Sequence, residues 1–158
     1  MTMFGHLPRG TSLHSQTERV MRWYQRLLDI YSGKIEEHPE MAVDEMTVFF
    51  IFCYQLKDWI IKDTAIPKKE VEDFVTQTQC LAICADIANS INHLGIDENK
   101  SPRSGKDVRM RPAFAIIKDK TVVPRPIITS GNGTTIDVKD LATECVKEWN
   151  GFLKAHSY

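Results

Sequence analysis

No hydrophobic run in this sequence approaches a membrane span. Its densest apolar stretch, Val48 to Tyr54, is seven residues long, against the roughly 18 or more that a span requires. The N-terminal region carries Arg9 but no apolar leader core, so no signal peptide is expected. No internal repeat and no low-complexity tract occurs, which excludes a repeat architecture. Cysteine is scarce, limited to Cys53, Cys80, Cys84 and Cys145. All four lie in apolar helical contexts, the setting of reduced core thiols in a cytosolic protein. Neither a CxxC pair nor an HExxH motif is present. Cys80 and Cys84 stand one helical turn apart and would ligate a metal only with two further ligands nearby. The sequence therefore points to no metal and no cofactor.

What is present is the composition of one ordinary globular domain. The chain has 158 residues, 42% hydrophobic and 26% charged, which excludes a wholly disordered, collagen-like or disulfide-scaffold protein. A chain of this length buries enough surface to fold without a metal or disulfide. The formal net charge of −1 conceals a strong asymmetry along the chain.

Residues 1–13 contain Gly5, Pro8 and Gly10 without periodicity and read as a flexible arm. From His14 to about Tyr31, Val20, Trp23, Tyr24, Leu27, Leu28 and Tyr31 form the stripe of an amphipathic helix, with Gly33 as its stop. A second helix is expected from about Glu40 to Asp63. Its middle, Val48 to Cys53, is apolar on every side, so it should sit at the centre. Lys68 to Thr76 and about Thr78 to Leu94 read as two further helices, and Gly95 ends the second. Residues 95–112 read as a polar, mobile loop. Ala113–Ile117 and Thr121–Val123 then read as one hairpin, and Ile127–Thr129 and Thr134–Ile136 as another across Gly131-Asn132-Gly133. Asp137 caps a last helix to about Lys154. The fold class is thus mainly α. It is an up-and-down helical bundle over residues 14–158, with a small β-hairpin insertion at about 112–136 before the last helix. Phe49, Phe50, Cys53, Leu81, Cys84, Ala88, Leu141, Cys145 and Trp149 are the expected core.

Three constellations bear on chemistry. Asp86, Asn89 and His93 share one helix face, placing a carboxylate, an amide and an imidazole in one stripe. That pattern serves acid/base catalysis or, equally in kind, a solvated face or a network joining helices. Lys57 and Asp58 interrupt the most apolar helix, and a buried charge there must be paired. A direct hydrogen bond or ion pair with the Asp86 stripe is expected, unless Lys57 reaches the surface along its stem. Residues 99–125 hold eight Lys and Arg against two Asp, a local charge of +6, whereas residues 41–98 stand at −6. Lys100, Arg103, Lys106, Arg109 and Arg111 lead this basic segment and suit phosphate contact. The same charges would also protect an exposed sheet edge or dock on an acidic protein face. Phe114 is the one aromatic interleaved there, which gives base stacking little support.

Gln55-Leu56-Lys57-Asp58-Trp59-Ile60, Cys84-Ala85-Asp86-Ile87-Ala88-Asn89 before His93-Leu94, and Cys145 through Leu153 together resemble a family of uncharacterised bacterial and phage helical proteins. The likeness covers about Val43 to Leu153. To a lesser degree the arrangement is similar to the HEPN superfamily of helical bundles, many of them RNA-cleaving toxins or defence components. HEPN nucleases place an Arg four to six residues before a His. At that spacing before His93 stand Asn89, Ala88 and Ile87, with Asp86 one position further back, and none of them is Arg. The resemblance therefore implies a noncatalytic, cytoplasmic binding module of a phage or bacterial conflict system, acting on a protein partner or on itself. Nucleic acid could engage the basic segment, and no membrane contact is expected. Two other readings stand beside it: a metal-independent RNase using His93 with Asp86 or Asn89, and a homo-oligomeric structural protein.

Overall fold

The computed structural model describes residues 7, 10–92, 102–105 and 107–158. Helix α1 (Ser12–Tyr31) begins where Thr11 turns its side chain to accept the His14 backbone N–H, a cap that satisfies an otherwise unpaired donor. It starts two residues before the expected His14 for that reason. Helix α2 (Pro39–Asp63) opens on a proline, which lacks the N–H that a first turn leaves unbonded anyway. Helices α3 (Lys68–Gln77) and α4 (Gln79–Asn92) follow with Thr78 alone between them. Helix α5 (Val138–Ala155) is capped by Asp137, which accepts the Asp140 N–H at 2.8 Å.

The core lies where these helices meet α2. Helix α2 packs against α1, α3, α4 and α5, as its all-round apolar middle requires. All nine expected core residues are buried. Phe49 and Phe50 meet edge to face at 5.1 Å between centroids. On the other side, Phe74 of α3 stacks on Phe152 of α5 at 4.4 Å. No helix among the described residues is long and apolar enough to cross a membrane.

The strand region precedes α5 as expected, but it begins earlier and is built in two pieces. Strands β1 (Val108–Arg111), β4 (Ile127–Ser130) and β5 (Thr135–Asp137) form an antiparallel sheet in the order β1-β4-β5. Strands β2 (Phe114–Ile116) and β3 (Val122–Pro124) form a separate antiparallel pair, with Phe114 opposite Pro124 and Ile116 opposite Val122. Residues 95–112 are therefore not wholly loop. In β1, Val108 is buried and Met110 half-buried, while Arg109 and Arg111 are exposed. That alternation is the mark of a half-buried strand, masked here by its polar surroundings. The N-terminal arm is also partly anchored, since Leu7 belongs to the core.

Gly33 sets how closely the β2–β3 pair approaches the end of α1. Its φ is +79°, and a Cβ there would meet Val123 Cγ1 at 2.8 Å and Ile117 Cδ1 at 3.0 Å. Val123 is buried and branched at Cβ, so it cannot swing aside cheaply.

Two outcomes test this packing. Phe50→Ala, which empties a fully buried site, should lower the unfolding free energy by about 3–5 kcal/mol in denaturant titrations. Gly33→Ala should cost about 1–3 kcal/mol, from left-handed backbone strain plus the displaced Val123.

Candidate functional site

The polar residues that break the apolar pattern assemble beside the N-terminal half of the strand region. Lys57 is 9% exposed. Its Nζ donates to Asp58 Oδ1 at 2.8 Å and to Glu72 Oε1 at 3.0 Å, and it lies 5.1 Å from the Tyr54 ring centroid. Glu72, on α3, also accepts Arg103 Nη2 at 3.0 Å. Arg103 in turn donates to the Tyr54 hydroxyl at 3.2 Å. Burial alone would raise the Glu72 carboxyl, but the hydrogen bonds from Lys57 and Arg103 outweigh it and hold Glu72 below its ordinary value. Lys57 is likewise penalised by burial and held above its ordinary value by Asp58 and Glu72.

Asp86 lies at the far end of the same network. Its Oδ1 accepts the Arg103 backbone N–H at 2.8 Å, and its Oδ2 accepts the Ser104 N–H at 2.9 Å and the Ser104 hydroxyl at 2.5 Å. A carboxylate accepting three such bonds works as an anchor, fixing the turn at 103–105 onto α4. The expected direct bond between the Asp86 stripe and Lys57–Asp58 is replaced by a relay: Lys57 to Glu72, Glu72 to Arg103, and the Arg103 backbone to Asp86. Asn89 is half-buried on α4, and His93 lies outside the described residues. Sequence reasoning missed Glu72, Tyr54 and Ser104. Glu72 stands among Lys68, Lys69, Glu70 and Asp73 on a charged helix, and nothing in that spacing singles it out.

The basic segment divides. Arg103 is held by Glu72, and Arg125 donates through Nε to the Tyr31 carbonyl at 3.2 Å with its guanidinium 4.6 Å from the Tyr31 ring centroid. The Tyr31 hydroxyl donates to Asp137, and burial followed by that bond pushes the phenol up. Arg109 pairs with Asp107 at 3.6 Å, both exposed. Arg111, Lys118 and Lys120 are exposed. Lys100 and Lys106 lie outside the described residues. The charges are thus partly joints of the fold and partly a rim around the strands.

That rim borders the apolar surface the helical pattern did not predict. Phe114, Ile116 and Val122 are 62%, 75% and 58% exposed. The register places them on one face of the β2–β3 pair, while Val123 on the opposite face is buried. A groove between α3 and α5, lined by Glu70, Asp73, Phe74 and Phe152 among others, is broad and open; it does not include the Lys57–Asp86 network.

Comparison with family models, curated proteins and solved structures finds no match.

The network carries a stability prediction. Glu72→Gln should destabilise by about 1–2 kcal/mol, less than a fully buried pair because the carboxylate remains partly solvated. Glu72 has a folded pKa below its ordinary value, so its contribution is present above the ordinary value and is lost as pH falls through the lowered one. Denaturant unfolding near neutrality and in acid should show the gap between wild type and Glu72→Gln closing in acid.

Proposed function

We propose that this chain is a noncatalytic helical binding module whose docking surface is the outer face of the β2–β3 pair. The observation that carries this reading is the exposed ridge of Phe114, Ile116 and Val122. A strand pair with one wet face ordinarily turns polar side chains to solvent. A contiguous apolar ridge bounded by charge instead marks a surface that another molecule covers. Exposed Arg111, Lys118 and Lys120 flank it, which suits a protein surface with an apolar centre and an acidic rim. Two features favour protein over nucleic acid as the occupant. Arg103 and Arg125 are engaged inside the fold, and Ile116 and Val122 offer nothing to a phosphate. The anchoring bonds on Asp86 favour a structural role for that carboxylate over a catalytic one. Four unpaired cysteines suit a reducing compartment such as the cytoplasm. A role in a phage or bacterial conflict system rests on the sequence resemblance.

The test is a pair of surface variants, Phe114→Ser and Ile116→Glu. Both should keep the wild-type helical circular dichroism and unfold within about 0.5 kcal/mol of it. A photo-crosslinker placed at position 122 in the source cells should trap one acidic protein with the wild-type chain and lose it with either variant. Equal trapping by all three chains sinks the proposal, as does tight, salt-sensitive retention of nucleic acid by wild type that both variants preserve.

A further inference from the structure

All four cysteines are free and buried, and the fold brings three of them together from three different helices. Cys53 lies on α2, Cys80 and Cys84 on α4, and Cys145 on α5. The Sγ atoms of Cys53, Cys84 and Cys145 lie within 4.8 Å of one another. Cys84 thus meets two thiols from helices far away along the chain, and Cys80 is not part of the group.

We propose that Cys53, Cys84 and Cys145 form a trigonal thiolate site for one divalent, thiophilic d10 cation of the zinc class. Geometry supports it first. Metal–sulfur bonds of about 2.3 Å set the sulfurs of a trigonal centre about 4.0 Å apart, a spacing the three thiols reach with small rotamer adjustments. Second, the Trp149 indole N–H is buried, 1% exposed, and closes no hydrogen bond. It lies close to the Cys53 sulfur. An unsatisfied buried donor has a cost, and a metal-bound thiolate is the acceptor it lacks, in the manner of outer-shell donors that orient ligands.

Proton and charge balance select the cation. Uptake of a divalent ion with release of two thiol protons to solvent leaves a neutral centre. Release of all three leaves one negative charge, facing the Trp149 N–H. With all three sulfurs ionised, a monovalent ion leaves two negative charges in the dry core where a divalent ion leaves one, which is costly. When the site is empty, two of the thiol protons have acceptors: Cys84 Sγ donates to the Phe50 carbonyl and Cys145 Sγ to the Cys80 carbonyl, each at 3.3 Å. The chain therefore folds without the ion, and the ion adds a crosslink among α2, α4 and α5. Because the three sulfurs are fully enclosed, loading accompanies folding.

The experiment refolds the reduced chain with and without one equivalent of Cd(II), and separately Zn(II), followed by desalting. Wild type should retain one metal per chain, show the ultraviolet thiolate-to-cadmium charge-transfer band, and unfold several degrees higher than the metal-free protein. Cys53→Ala should lose the band and the retained metal, whereas Cys80→Ala should keep both. If Cys53→Ala fails to fold, wild type alone decides: metal-free protein after desalting, with no band and no change in midpoint, overturns the proposal. Retention that is unaffected by Cys53→Ala, or sulfurs that close as a disulfide and hold no metal, overturns it as well.

Discussion

Phe49, Phe50 and Cys53 have no exposed surface, and a helix buried at consecutive positions must be covered on more than one side. That constraint on α2 organises the molecule. Helix α1 covers one flank, where Trp23 and Tyr24 meet Phe52 and Phe49. Helices α4 and α5 cover the opposite flank with small side chains, Ala82, Ala85, Cys84, Ala142 and Cys145, all buried. Small residues let helices approach closely, so the thiols of three helices meet in one spot as a result of packing on a single crowded axis.

Charge then fixes what the core does not reach. The strand region has little core of its own, and two basic residues tie it to the helices at opposite ends. Arg103 binds Glu72 and Tyr54 near the middle of the bundle. Arg125 binds the last turn of α1, whose Tyr31 hydroxyl reaches the cap of α5 at Asp137. Both joints combine a guanidinium, an aromatic face and a nearby carboxylate. A planar guanidinium lies over a ring while its N–H groups reach an oxygen acceptor beside it, which suits Arg to both joints, whereas Lys118 and Lys120 are exposed.

The helices were legible in the sequence from the apolar stripes of α1 and α5, the all-round apolar middle of α2, and the stop or cap at Gly33 and Asp137; the caps at Thr11 and Pro39, which start α1 and α2 one or two residues earlier than expected, were not. Both hairpins were legible from their turn residues. Strand β1 was not, because Val108-Arg109-Met110-Arg111 alternates over only four residues inside a stretch of Ser, Pro, Gly and charge. The polar network was half legible. Lys57 and Asp86 betray themselves as charges on apolar helices, but the groups that bind them, Glu72 and the Arg103–Ser104 turn, sit where polar residues are ordinary. Cys53 and Cys145 were legible as core residues and not as neighbours, since 92 positions separate them and only the tertiary fold gives their distance.

The β2–β3 pair separates what the fold requires from what it merely carries. Val123 and Ala115 face inward, and Gly33 gives Val123 its seat against the end of α1. Those inner residues hold the pair in place. Phe114, Ile116 and Val122 contribute almost nothing to that attachment, because most of their surface stays in water whether or not the pair is docked. Strand propensity explains their β-branched and aromatic character in part, yet Thr would satisfy it at lower exposure of apolar surface. The neighbouring sheet shows that alternative: Thr129 and Thr135 stand opposite each other beside Arg109 on its outer face. Two small antiparallel pieces built from the same segment thus treat solvent differently, one with hydroxyls and charge, the other with an apolar ridge. Folding alone does not account for that difference, whereas burial against a second surface, the docking role we propose, would.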